Sequence, residues 1–296
     1  MNALAFALLL TAALPSQKPA GVDSLGQPIL PYCRVSVINK ADVAGREAGV
    51  LIQLDVREGQ QVKKGEELGR IDDIKAAALK KVKEKELEAA LEQATNDVNE
   101  RFAVKSRDVA VKEYQLLDRA NKNTPGAIAP IEVDKARLNA QKADLQIEQA
   151  KFERKVAKLT SDVKSAEVEA AEADIQLRRI TSPLDGVVVH ITKQLGEWVA
   201  PGDPVVHVVR MDRLRIEGYV NAAKFNPSEV DGRDVTVDAE MARGQKLRFA
   251  GKIVHVSPLV QPGGDYLVWA EVENKQEKGN WMLRPGVTAT MTIQLK

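Results

Sequence analysis

Cysteine occurs once in the 296 residues, at Cys33. That excludes an internal disulfide and a thiolate metal cluster. Histidine occurs three times, at His190, His207 and His255, too far apart to propose a catalytic or metal-binding set by spacing. Aromatic residues make up only 4%, so any core must rest on Val, Leu, Ile and Ala. Charge of either sign is not in excess: 43 Lys+Arg stand against 42 Asp+Glu, a formal net charge of +1. A chain that coats nucleic acid carries a basic surplus, so nucleic acid is not an expected partner. Also missing are a nucleophile elbow, a phosphate loop and carboxylates at metal-ligand spacing, so neither an enzyme nor a bound cofactor is expected. What is present is ordinary for a folded protein, 44% hydrophobic and 29% charged, and excludes a disordered chain.

The amino terminus stands apart. Met1 to Ala13 carries no charge, and Ala3 to Leu10 is an unbroken apolar run. It is too short to cross a bilayer as a helix and suits the apolar segment of a secretory signal. Residues 1–20 are therefore expected to be a signal peptide, followed by a linker over 21–36.

Glycine and proline nearly vanish from the middle of the chain. Between Asp73 and Arg178 they occur only as Pro125, Gly126 and Pro130, and the rest is dominated by helix formers. Breakers at one point predict two long helices joined by a short turn, hence an antiparallel hairpin over 73–178 with its tip at about 122–130. Leu138, Leu145, Phe152, Leu159, Ala166 and Ala173 recur every seven residues, with Val156, Val163, Ala170 and Leu177 in the companion slot. This pattern predicts the coiled-coil seam of the second helix. In the first helix Leu87, Leu91, Ala94, Val98, Phe102, Val109 and Leu116 form a stripe with one stutter near Phe102. Helices of this length predict a projection of about 70 Å.

The segments flanking the hairpin repeat one another. Gly49, Gly59, Val62, Gly65, Leu68 and Ile71 match Gly186, Gly196, Val199, Gly202, Val205 and Val208 at a constant offset without a gap. Each half reads as short alternating strands joined by glycine turns, with too few strands to bury a core alone. The halves, 37–72 and 179–211, are expected to close on each other as one small β-sandwich. Beyond it, Leu214–Val220, Val235–Ala239, Leu247–Val256, Leu267–Val272 and Val287–Leu295 have strand-like length and alternation. With a short helix near Ser228–Val230 they predict a small closed β-barrel over 212–296.

The two repeats resemble the halves of a lipoyl (biotinyl) domain split by a helical hairpin. That arrangement is similar to the HlyD-type membrane fusion proteins, the periplasmic adaptor subunits of bacterial export systems. Arg179-Ile-Thr-Ser-Pro-Leu-Asp-Gly-Val-Val188 resembles the family's entry into the second half, as does Gly196-Glu-Trp-Val-Ala-Pro-Gly-Asp-Pro204. The resemblance covers about residues 37 to 295. It implies an α+β fold and a non-catalytic role: linking an inner-membrane transporter, of the resistance-nodulation-division (RND) or ATP-driven (ABC) type, to an outer-membrane channel. It also implies a periplasmic location at the inner membrane and self-association into a ring, commonly of six. The lysine-bearing turn of a true lipoyl carrier is replaced by Asp72-Asp73 and the helices, so no covalent cofactor is expected. The family's membrane-proximal domain is expected to be minimal or absent.

At the tip, family members that dock on a channel carry Arg, Leu and Ser at fixed spacing. In that register Asp118, Lys122 and Ala129 occupy the three slots, and none matches. Arg119 lies beside the first slot, and Pro125, Gly126 and Ile128 shape the turn. These seven residues are the candidate partner-binding set. Trp198, Trp269 and Trp281 read as packing groups, and His190 and His207, on expected strands, are not read as ligands. The rival reading is an envelope coiled-coil scaffold that transports nothing.

Overall fold

The structure, a computed structural model, describes residues 21–22, 26–241, 245–277 and 279–295. The expected signal segment lies outside them. A short strand β1 (Gly21–Val22) pairs with β2 (Pro28–Val37). The first half-repeat follows as β3 (Lys40–Ala44), β4 (Gly49–Leu54), β5 (Gln61–Val62) and β6 (Glu67–Ile71). Three helices come next: α1 (Ile74–Thr95), α2 (Val98–Asn123) and α3 (Pro130–Leu177). The second half-repeat is β7 (Arg179–Thr181), β8 (Gly186–Ile191), β9 (Trp198–Val199) and β10 (Pro204–Val209). The remainder is β11 (Arg213–Asn221), the single turn α4 (Pro227–Val230), β12 (Asp234–Glu240), β13 (Lys246–Val260) and β14 (Asp265–Glu273). It ends with β15 (Gln276–Glu277), β16 (Asn280–Trp281) and β17 (Thr288–Ile293).

The two half-repeats interleave. One sheet runs β3-β10-β8-β5 and the other β7-β6-β4-β9, so each takes two strands from either half. Neither half has a core without the other. Leu51, Leu68, Ile71, Val188, Val199, Val205, Val206 and Val208 are fully enclosed between the sheets. The matched glycines divide by job. Gly59, Gly65, Gly196 and Gly202 all sit at φ of 84 to 89°, the left-handed region that their turns require. Gly49 and Gly186, expected as turn residues too, instead open β4 and β8 with ordinary φ. A Cβ on Gly49 would stand 2.6 Å from Ile71 Cγ2, and one on Gly186 2.5 Å from the Val209 carbonyl oxygen. They are glycines because the neighbouring strand of the same sheet approaches closely there.

The barrel closes in the order β2-β11-β14-β13-β12-β17, with β17 returning to β2. Its first strand is the stretch expected to be linker: residues 28–37 are barrel strand, with Leu30, Cys33 and Val35 buried in its core. Pro28 and Pro31 disguise the strand, because proline interrupts a ladder. The β2–β17 register shifts between Ala289 and Met291, and Tyr32 beside that shift takes φ 63°. Such a bulge absorbs the irregularity. Burial pushes the Cys33 thiol up to about 12, so it is an inert core group.

The first hairpin helix is not continuous, which corrects the expectation of two helices. It stops at Thr95 and restarts at Val98. Thr95 Oγ1 donates to the Leu91 carbonyl, and Asn96 Oδ1 accepts from the Val98 N–H at 3.0 Å. Short polar side chains at Thr95-Asn96-Asp97 compete with the helix ladder for backbone groups. α3 runs unbroken for 48 residues, about 70 Å at 1.5 Å per residue.

Candidate docking surfaces

The helices pack through alanine. Ala140, Ala143, Ile147 and Ala150 of α3 cluster with Ala103 and Ala110 of α2, and toward the root Ala171 and Ile175 of α3 and Ala76 and Ala90 of α1 are buried. Ion pairs join facing helices on either side of this seam. Lys83 meets Glu167 at 2.8 Å, Lys164 meets Glu86 at 2.8 Å, and Arg154 meets Glu100 at 2.9 Å. The Lys164 and Lys83 ammoniums hold the Glu86 carboxyl below its ordinary 4.5, and those of Lys83 and Lys164 do the same for Glu167.

The leucine heptad expected to form that seam faces outward. Leu138, Leu145, Phe152 and Leu159 are all exposed, Leu145 by 65% and Phe152 by 66%. So is the first-helix stripe at Phe102, Val109 and Leu116, Phe102 by 73%. The sequence carries two interleaved heptads in α3, Ala136/Ala143/Ala150 and Leu138/Leu145/Phe152, two residues apart. Two residues turn the helix by about 200°, so the leucine stripe lies on the side of α3 opposite α2. Phe102 and Val109 precede buried Ala103 and Ala110 by one residue, about 100° around α2. The hairpin thus carries two apolar stripes on two different flanks, and neither has a partner among the described residues. Small side chains permit close helix approach, and the alanine heptad was the visible signal that sequence reading passed over for the larger residues.

The tip is a solvated turn. Gly126 adopts φ 83°, its N–H is received by Asn121 Oδ1, and Pro130 occupies the first turn of α3. Asp118 and Lys122 pair at 2.8 Å, which raises the Lys122 ammonium above its usual range. Arg119, Pro125, Gly126 and Ala129 are exposed, and Ile128 is half-buried. Asp118, Arg119 and Lys122 lie at the end of α2, and Pro125, Gly126, Ile128 and Ala129 in the turn between α2 and α3. At the root, β6 and β7 are antiparallel neighbours with Arg70 opposite Arg179. Asp72-Asp73 passes directly into α1 there, so the site of a carrier-type lysine turn is occupied by the helices.

Two tryptophans behave as expected and one does not. Trp269 stacks between Arg215 and His255 on the barrel wall, and Trp281 is half-buried. Trp198, expected to pack, is 61% exposed on β9, close to exposed Leu195. Asn274 is buried beside the strand that joins sandwich to barrel. Its amide donates to the Met211 and Leu283 carbonyls, and its Oδ1 accepts the Leu283 N–H. Among the described residues no group of three or more His, Cys, Asp or Glu is placed to hold a metal. No described helix is long and apolar enough to cross a membrane.

This architecture has relatives. The family model for the RND MFP (membrane fusion protein) barrel-sandwich hybrid domain matches residues 39–211. The nickel-cobalt-cadmium resistance protein NccB of Alcaligenes xylosoxydans xylosoxydans is 25% identical over 85% of this chain. The macrolide export protein MacA of Escherichia coli O157:H7 is 25% identical over 97% of this chain and 74% of its own length. The chain spans just over half of NccB, 55%. Among solved structures, MacA from Actinobacillus actinomycetemcomitans superposes with TM-score 0.60, 23% identity, and coverage of 89% of this chain and 77% of that one. A MacA–MexA chimera bearing the Pseudomonas aeruginosa MexA α-hairpin gives TM-score 0.52, 21% identity, and coverage of 91% and 82%. These likenesses extend over hairpin, sandwich and barrel together, and the chain belongs to the RND membrane fusion protein family, through its barrel-sandwich hybrid domain.

Proposed function

We propose that this protein is a non-catalytic periplasmic adaptor of the HlyD type, working in export across the envelope at the inner membrane. It links a transporter of the RND or ABC type to an outer-membrane channel. The hairpin reaches outward with Asp118, Arg119, Lys122, Pro125, Gly126, Ile128 and Ala129 at the channel end, and the barrel lies toward the transporter. The names of the relatives, a nickel-cobalt-cadmium resistance protein and a macrolide export protein, point to different substrates, so the substrate is left open.

The observation that carries this reading is the pair of unpartnered apolar stripes on the hairpin. A long exposed apolar surface on a soluble protein marks an interface. Because the two stripes occupy different helices and different flanks, one copy's α3 face meets the next copy's α2 face. That contact is head-to-tail, and head-to-tail contacts close into rings or run on as filaments. A ring of hairpins, commonly six in the family, makes a tube. The role of the chain is then to seal a passage and couple motions at its two ends.

In-cell photo-crosslinking from Ala129 and from Leu145 tests this. The expected products are an outer-membrane channel from Ala129 and a second copy of this chain from Leu145. Self-products at Leu145 with nothing at Ala129 favour the scaffold reading, and no product at either position refutes the adaptor role.

A further inference from the structure

Two histidines far apart in sequence become direct cross-strand neighbours on the outer face of the sandwich. His207 of β10 lies opposite His190 of β8, with ring centroids 5.9 Å apart and planes inclined by 14°. Each ring is tied by the same nitrogen to its own carboxylate. His207 Nδ1 meets Asp42 Oδ1 at 2.5 Å, and His190 Nδ1 meets Glu58 Oε1 at 2.9 Å. Asp42 comes from β3, directly opposite His207. Glu58 comes from the turn before β5 and also receives the Ile191 N–H at 3.0 Å. The four side chains form a row across the sheet: carboxylate, imidazole, imidazole, carboxylate.

A carboxylate oxygen accepts, so an imidazole bonded to it through Nδ1 donates from that nitrogen. That fixes the tautomer and leaves the lone pair on Nε2. No described residue bonds either Nε2. A carboxylate behind a histidine is the arrangement that orients a metal-binding imidazole and raises its basicity. Cross-strand partners have Cβ atoms about 4.5–5.5 Å apart, near enough for two imidazoles to meet one ion at about 2.0–2.1 Å each. Imidazole nitrogen suits zinc, nickel and copper and not magnesium or calcium.

We propose that His190 and His207 bind one divalent first-row transition ion through their Nε2 atoms, with Asp42 and Glu58 as positioning residues. Water fills the remaining positions, so the site is an exchanging one and not a structural one. The inference is independent of the adaptor reading, since it rests on the sandwich face alone.

Equilibrium dialysis of the full chain against Zn²⁺ or Ni²⁺, with bound metal measured by mass spectrometry, tests it. The expected result is one ion per chain, with Mg²⁺ not retained. His190→Ala and His207→Ala should each weaken retention at least about tenfold, and His255→Ala should not change it. Asp42→Asn and Glu58→Gln leave both imidazoles in place, so merely exposed histidines would not respond to them. Each should still weaken binding about tenfold. Unchanged circular dichroism spectra keep the comparison among folded proteins. Absence of stoichiometric retention in the wild type, or equal retention in the His190→Ala/His207→Ala double variant, overturns the proposal. Loss in the histidine variants with no response in Asp42→Asn and Glu58→Gln overturns the positioning role.

Discussion

In the sandwich, Leu51, Leu68, Ile71 and Val188 have no exposed surface. In α3, Leu145 and Phe152 expose about two thirds of theirs while Ala143 and Ala150 take the inside. The β domains use their large apolar residues to hold themselves together. The hairpin holds itself with methyl groups and flanking ion pairs and keeps its large apolar residues outside. The first arrangement suits a body that folds alone, and the second suits an element completed by neighbours. The difference predicts that substitutions of similar size will have opposite consequences in the two regions.

The largest effect is expected in the sandwich. Ile71→Ala removes a fully buried side chain from between the sheets and should cost about 2–5 kcal/mol in chemical denaturation. Next is the junction: Asn274→Ala strands the buried Leu283 N–H and two carbonyls, an expected loss of about 1–3 kcal/mol. A smaller loss is expected at the turns. Gly59→Ala or Gly196→Ala forces a Cβ into φ of 86 or 88°, a strain of about 1–2 kcal/mol, measurable as a lowered unfolding midpoint.

The hairpin should answer to pH and salt more than to volume. Glu86, Glu167 and Glu172 sit below their ordinary 4.5 because lysines on facing helices bond them. A lowered carboxylate stabilises the fold above its unfolded pKa, and the contribution is lost as pH falls through the folded value. Helix content followed by circular dichroism should therefore drop below pH 4.5, before the β signal does, and salt should shrink the effect. The smallest effect on stability is expected from Leu145→Ser, within about 0.5 kcal/mol, because the side chain touches little within its own chain.

Much of this division was legible in the sequence. The glycine and proline gap marks the hairpin, and the constant-offset repeat marks the sandwich, because both signals are local to backbone conformation. The break at Thr95-Asn96-Asp97 was not, since it comes from side-chain competition for backbone groups and not from glycine or proline. The barrel strand at 28–37 was hidden by Pro28 and Pro31 and by pairing with strands nearly two hundred residues later, such as Leu214 opposite Val37. The stripe was found but assigned to the wrong side. Periodicity identifies an apolar face without identifying its partner, and the alanine heptad two residues away takes the intramolecular contact. The His190–His207 pair needed the sheet register, which no spacing along the chain reveals.

Sedimentation velocity over a range of concentrations, comparing wild type with Leu145→Ser/Phe152→Ser, tests the central claim most directly when paired with unfolding curves. The account predicts concentration-dependent assembly of the wild type, a monomeric variant, and the same unfolding midpoint for both at low concentration. A variant that unfolds earlier as a monomer, or one that assembles as the wild type does, would contradict it.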